Sequence, residues 1–256
     1  MIPLKDNIPT TRTPVVTIAL IVANVLLYFL WQKGGILQGP PIDETVRWGW
    51  IPYELKHPGE HCTLGAYGDT IACGSEVQGQ PSVLVTAFTS MFMHGSVLHL
   101  GGNMLFLWIF GNNVEDSMGP VRFIAFYLLA GLAAVALQTV AATGDNEAVP
   151  MVGASGAVAG VLGGYILLYP RARVLTVIFI ILFFTIIEVP AVIVLGLWFV
   201  QQVLFGMYDL SDPLGSGGGV AYFAHIGGFL LGLLLIRAFA TRRNPYYLPR
   251  PRVPLY

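Results

Sequence analysis

The strongest constraint on this chain is a succession of apolar runs, each near the length that a bilayer demands. A spanning helix needs roughly 20 mostly apolar residues. In lipid, only a helix or a closed barrel satisfies its own backbone. Six runs meet the helical requirement: 14–32, 96–114, 120–142, 153–170, 190–207 and 221–240. The expected architecture is an all-α membrane protein built from six transmembrane helices with a long external first loop. Composition agrees: 55% of the residues are apolar and 11% charged, against about 25% charged in ordinary soluble domains. That excludes a disordered chain, a basic nucleic-acid binder and a cytosolic enzyme, and leaves a membrane enzyme, a transporter or a structural membrane domain. The first run, Pro14 to Trp31, is followed by no small-residue cleavage site, so it is expected to stay as a helix rather than be removed as a signal peptide.

Orientation follows from where the few charges sit. Lys5, Arg12, Arg122, Arg171, Arg173, Arg237, Arg242, Arg243, Arg250 and Arg252 fall on one side, so ten of the thirteen cations share it. Only Lys33, Arg47 and Lys56 fall on the other, together with ten of the fourteen acids. Cations accumulate on the cytoplasmic side, so both termini are expected there. The layout is then a cytoplasmic segment 1–13, a membrane domain 14–240 carrying the external insert 33–90, and a Pro- and Arg-rich tail 241–256 expected to lack fixed structure. One segment resists this scheme: Val174 to Val189 is apolar, rich in β-branched residues, and short before Pro190. An extra crossing there would move the C-terminal arginines outside, so a hairpin or re-entrant excursion on the cytoplasmic side is expected.

Polar groups inside a bilayer are costly and mark function. They are His94, His99 and Asn103 at the start of the second run, Ser155 at the start of the fourth and His225 near the start of the sixth, with Glu115 closing the second. Under the charge-based topology the second, fourth and sixth runs point the same way, which puts these residues near one depth. Ser155, Ala159 and Gly163 form a small-residue stripe, with Gly156, Gly160 and Gly164 beside it, and His225, Gly228 and Gly232 share a face of the sixth run. Such stripes let helix backbones approach closely in membranes. Two parallel helices so packed would bring a serine hydroxyl within hydrogen-bond reach of an imidazole, the arrangement that activates a nucleophile. No acid lies at that depth, so the expectation is a Ser155–His225 dyad. Asn103, His99 and the Ser155 backbone N–H would be donors to a developing oxyanion. A Gly-x-Ser-Gly sequence by itself is more often a packing feature and a lone membrane histidine serves as readily in a proton relay. These residues alone therefore leave a hydrolase and a transporter both open.

The stretches HGSVLHLGGN (94–103), GNNVEDSMG (111–119), GASGAVAG (153–160) and AHIGGFLLG (224–232) resemble the rhomboid family of intramembrane serine proteases, in the family's order and over about residues 85–240. The resemblance implies a six-helix rhomboid-like bundle that cleaves transmembrane or membrane-proximal segments of membrane-protein substrates within the lipid bilayer. It makes Ser155 in Gly153–Gly156 the nucleophile and His225 the base, with Asn103, His99 and the Ser155 N–H around the oxyanion. His94 would brace the first loop and Glu115 would tie helix ends together. Where some members carry an aromatic residue that stacks on the histidine, this chain has Ala159. The Gly215–Gly219 stretch resembles a flexible cap over the site. The alternatives are a catalytically silent rhomboid-like protein that binds membrane clients, and a proton-coupled transporter. No cofactor, metal or nucleic-acid partner is expected, and the resemblance, with no organelle-targeting segment recognised, suggests a bacterial plasma membrane.

Cys62 and Cys73, the only two cysteines, both lie in the insert. Outside the cytoplasm they are expected to form a disulfide. The rival is a metal site that would add His57 and His61. Trp48, Trp50 and Tyr53 suggest an aromatic patch at the membrane surface.

Overall fold

The computed structural model describes residues 1–65, 70–180, 183–211, 220–242 and 244–247. Each apolar run of the sequence lies on a helix. The helices α1 (Val15–Trp31), α4 (Val83–Phe92), α5 (Val97–Met118) and α6 (Pro120–Ala141) alternate with short elements of the insert, α2 (Ile42–Trp48) and α3 (Pro52–Lys56). They are followed by α7 (Ser155–Leu168), α8 (Ala191–Ser211) and α9 (Tyr222–Phe239). By length and composition α6, α8 and α9 can each cross a membrane. A fourth candidate is the pair α4 and α5, bent by 80° at the break between them; α1 and α7 are apolar but shorter. The predicted second span is thus the latter half of a broken helix pair. Its break lies at Met93–Ser96, where Ser96 caps α5 by accepting the His99 N–H at 3.1 Å. Gly119, with φ +81°, makes the tight turn into α6, and Pro120 opens that helix with φ preset and no N–H to satisfy.

The all-α expectation needs correction, because the described residues hold five strands. The segment 174–189 is a hairpin of β4 (Arg173–Ile180) and β5 (Phe183–Pro190), paired antiparallel from Arg173 with Pro190 to Ile180 with Phe183. The N-terminal segment adds β1 (Ile2–Asp6), antiparallel to β4, to give the order β1-β4-β5. In the insert, β2 (His61–Leu64) and β3 (Ile71–Gly74) make a second hairpin. Val174 to Val189 has the β-branched composition that favours pleated pairing. The short strand at 2–6 carries no comparable run, so only the edge offered by β4 recruits it.

Two further expectations change, and a third is not tested. Trp50 is not part of a surface patch: it is buried and its Nε1 donates to Thr139 Oγ1 on α6 at 2.9 Å, while Trp48 packs against Trp31. The tail is anchored where described, with the Thr241 and Arg242 N–H groups donating to Ser117 O and Asn244 Nδ2 donating to Pro9 O at 2.9 Å. The Gly215–Gly219 cap lies outside the described residues.

Helix ends are tied by buried side chains. Glu115 on α5 accepts the Val16 N–H at 3.0 Å, the Thr17 N–H at 2.7 Å and the Thr17 hydroxyl at 2.8 Å, satisfying the free amides that open α1. Asp116 accepts from Thr11 in the same way. Gln32, at the end of α1, accepts the His94 N–H and donates to the His94 carbonyl, which holds the α4–α5 break against α1.

Asp6 is buried and accepts from the Tyr165 hydroxyl at 2.6 Å and from Asn113 Nδ2 at 2.8 Å. Burial pushes its carboxyl up to about 6, against the opposing pull of those hydrogen bonds. A raised folded value means that the folded chain holds the proton after the unfolded chain has lost it. Stability is therefore expected to fall as pH rises from about 4 to about 6 and to level off above. Thermal melting of the detergent-solubilised protein across that window, compared with Asp6→Asn, measures this; the variant should lose that part of the slope. Cys62 and Cys73 face each other across β2 and β3 and are bonded, which withdraws both thiols from any metal site. Peptide mapping without reductant is expected to recover the two cysteines as one cross-linked species.

Candidate active site

The site is built where α7 and α9 run parallel with their backbones almost in contact. A Cβ placed on Gly228 would collide with the Gly156 carbonyl, one on Gly232 with the Gly160 carbonyl, and one on Gly163 with the Phe229 carbonyl. Gly156 and Gly160 face α6 as well, where Ala134 and Ala130 fill the space a side chain would need. Small-residue contacts of this kind replace the hydrophobic drive that helix pairs lack in lipid. They set the separation of Ser155, at the first position of α7, from His225, in the first turn of α9.

The outcome is a hydrogen bond: Ser155 Oγ lies 2.8 Å from His225 Nε2. On the far side of the ring, Nδ1 lies 2.8 Å from Gln202 Oε1 on α8. No acid is expected at this depth, and the third group present is a neutral amide. Gln202 stands four residues after Trp198 within the predicted fifth run, a polar residue at membrane depth, and that was the signal available for it. The Trp198 ring centroid is 5.7 Å from that of His225. Ala159 is buried and supplies no ring; the aromatic neighbour of the histidine comes from α8 instead.

Ser155 is positioned from its other side by the insert. Trp50 and Met151 exchange both main-chain hydrogen bonds, at 2.9 and 2.7 Å, and the Gly153 N–H donates to Ser90 O at 2.9 Å. Gly153 adopts φ +134°, a conformation that side chains disfavour, and a Cβ there would stand 2.8 Å from the His99 ring and 3.4 Å from Ser155 Oγ. The His99 ring and the serine hydroxyl therefore converge on one bare glycine. His99, Asn103, Ser155 and His225 line a single cavity of about 1210 Å³. Asn103 is buried, and its Nδ2 is a donor without a protein partner. A buried unpaired donor is uncommon and asks for an explanation; facing this cavity, it is ready to bind an acceptor supplied from outside. His94 is wholly buried and edge-on to His99, with ring centroids 5.2 Å apart. Its main chain, not its ring, is tied to Gln32 at the end of α1. Among the described residues no cluster of His, Cys, Asp and Glu could hold a metal ion.

Comparison with known proteins decides the family. The rhomboid-domain profile matches residues 81–242, well over half of the chain. The chain belongs to the rhomboid family. It is similar to Rhomboid protein 1, mitochondrial, of Saccharomyces cerevisiae, at 31% identity over 159 residues, 59% of this chain and 40% of the yeast protein. It is also similar to the presenilin-associated rhomboid-like protein, mitochondrial, of Bos taurus, at 28% over 220 residues, 85% of this chain and 46% of that one. RHOMBOID-like protein 4 of Arabidopsis thaliana is 35% identical over 156 residues, 61% of this chain and 34% of the plant protein. The chain thus spans less than half the length of these relatives. The yeast and bovine rhomboids are named as mitochondrial, which overturns the expectation of a bacterial plasma membrane. Loop charges report which way a chain is inserted, not into which organelle, so the sequence held no counter-signal.

If backbone contact sets the serine–histidine distance, bulk at the contact should be far costlier than bulk elsewhere. Gly228→Val is expected to lower the thermal midpoint sharply or to prevent folding. Gly101→Ala, at an exposed helical position with open space around its Cα, should be neutral or slightly stabilising. Paired melting curves in detergent make the comparison.

Proposed function

We propose that this rhomboid-family chain is an intramembrane serine endopeptidase that cleaves transmembrane or membrane-proximal segments of membrane proteins. The observation that carries the reading is the 2.8 Å hydrogen bond between Ser155 Oγ and His225 Nε2 inside a cavity that His99 and Asn103 also line. In this reading the chain crosses the membrane six times, α4 and α5 counting as one broken crossing, and both termini lie on the cation-rich side. By likeness to the yeast and bovine relatives, the membrane is a mitochondrial one.

The chemistry follows from the geometry. His225 accepts the serine proton at Nε2 as Ser155 Oγ attacks the scissile carbonyl, and it then returns that proton to the leaving amine. The carbonyl oxygen becomes an oxyanion, met by Asn103 Nδ2, by His99 and by the Ser155 N–H at the open end of α7. Loss of one such donor typically costs about 2.7–4 kcal/mol of transition-state stabilisation. Water then hydrolyses the acyl-enzyme, and its access has a structural basis. A 14-residue helix such as α7 is about 21 Å long. The hydrocarbon core is about 30 Å thick, so α7 is too short to span it alone, and the cavity beside Ser155, partly lined by polar residues, is the route for water.

A fluorophosphonate probe reads the nucleophile directly. The wild-type protein is expected to take up one equivalent at Ser155 and to cut a single-span model substrate. Ser155→Ala should do neither while melting at the same temperature. Absence of both activities in folded wild-type protein would favour a silent, client-binding rhomboid instead.

A further inference from the structure

We propose that Gln202 is the positioning residue of this site, selecting the histidine tautomer that can act as a base; the inference rests on the serine-protease reading above. An imidazole accepts a proton at Nε2 only when its single N–H is at Nδ1. Left alone the two tautomers compete, and one of them would present an N–H to the serine and disable it. The Gln202 amide removes that choice. Its oxygen lies 2.8 Å from Nδ1 and can only accept, so Nδ1 must carry the proton. The amide cannot readily turn over, because its nitrogen donates to the Trp198 carbonyl at 3.3 Å. Gln202 is 5% exposed, so little water competes for the ring.

The arrangement is a contact between two helices that each use an i, i+4 pair. Trp198 and Gln202 on α8 face His225 and Phe229 on α9, with the Trp198 ring 5.7 Å from His225 and 6.1 Å from Phe229. The Phe199 ring stacks on Phe229 at 4.3 Å and fixes the two helices against each other. From the α6 side, Gln138 Oε1 accepts the Ala224 N–H at 3.1 Å, holding the first turn of α9 from which His225 projects. An ionised acid at position 202 would also orient the ring, but at the desolvation cost of a buried charge; an amide orients it without that cost.

The test uses the purified protein with histidine labelled in nitrogen-15, the fluorophosphonate probe and two variants. The five histidines make the spectrum tractable, with His225 assigned by difference against His225→Asn. Wild-type His225 is expected to be protonated at Nδ1. Gln202→Met, similar in length but lacking the amide acceptor, should shift the ring toward the Nε2–H form and slow Ser155 labelling by about tenfold or more at an unchanged melting temperature. Gln202→Glu, which keeps an acceptor, should restore the Nδ1 proton and bring labelling to within about threefold of wild type. Slower labelling with an unchanged tautomer would mean a merely structural role and would overturn the proposal, as would wild-type labelling in Gln202→Met. Because the spectrum does not need activity, an unlabelled wild type whose tautomer still follows residue 202 would sink the protease reading and leave the positioning role standing.

Discussion

The close approach of α7 and α9 is the contact on which the site depends. Gly156, Gly160 and Gly163 on one helix and Gly228 and Gly232 on the other leave no room for a single added carbon. Serine is short, so its hydroxyl meets an imidazole across a helix pair only when the backbones nearly touch. Parallel packing matters equally, since it brings the first turns of both helices to one level. The 2.8 Å separation of Ser155 and His225 is thus a property of glycine placement many residues long, not of the two side chains alone.

Around that axis the rest of the molecule serves to hold helix ends in register. Glu115 and Asp116 cap the approach to α1, Gln32 clasps the main chain of His94, and Trp50 pairs with Met151 just before the Gly153 turn. The insert is therefore a structural part of the site. Through Trp50 and Ser90 it pins the loop that leads into Ser155. Each anchor satisfies backbone groups at a helix terminus or loop, where lipid offers no hydrogen bonds in exchange. The three-stranded sheet β1-β4-β5 plays the corresponding part at the other end of α7. There Tyr165 and Asn113 converge on Asp6.

Much of this was legible from residue order. The apolar runs are helices within a few residues of their expected ends, because apolar length and helix periodicity are local properties. For the run 174–189, β-branched composition, the following proline and the charge parity point to a hairpin or a re-entrant excursion, and it is the hairpin that forms. Ser155 and His225 stand out not singly, since each has a bland explanation, but through their joint occurrence near one depth on glycine-lined faces. What escaped notice depends on partners distant in sequence. The strand at 2–6 exists because β4 offers an edge, Trp50 is buried because Thr139 receives its N–H, and the tail at 241–247 is held by Ser117 and Pro9. None of those partners leaves a mark on the segment it recruits.

Sequence by itself settled the membrane character, the rhomboid motifs and the small-residue faces along which two helices could meet, since each is written in spacing along one stretch of chain. Tertiary structure alone decided how the histidine is held. Gln202 and Trp198 reach His225 from a third helix, and which of several polar residues on that helix turns inward is fixed by packing among three elements at once. Periodicity within one helix says which residues share a face. It carries no information on what that face will find opposite.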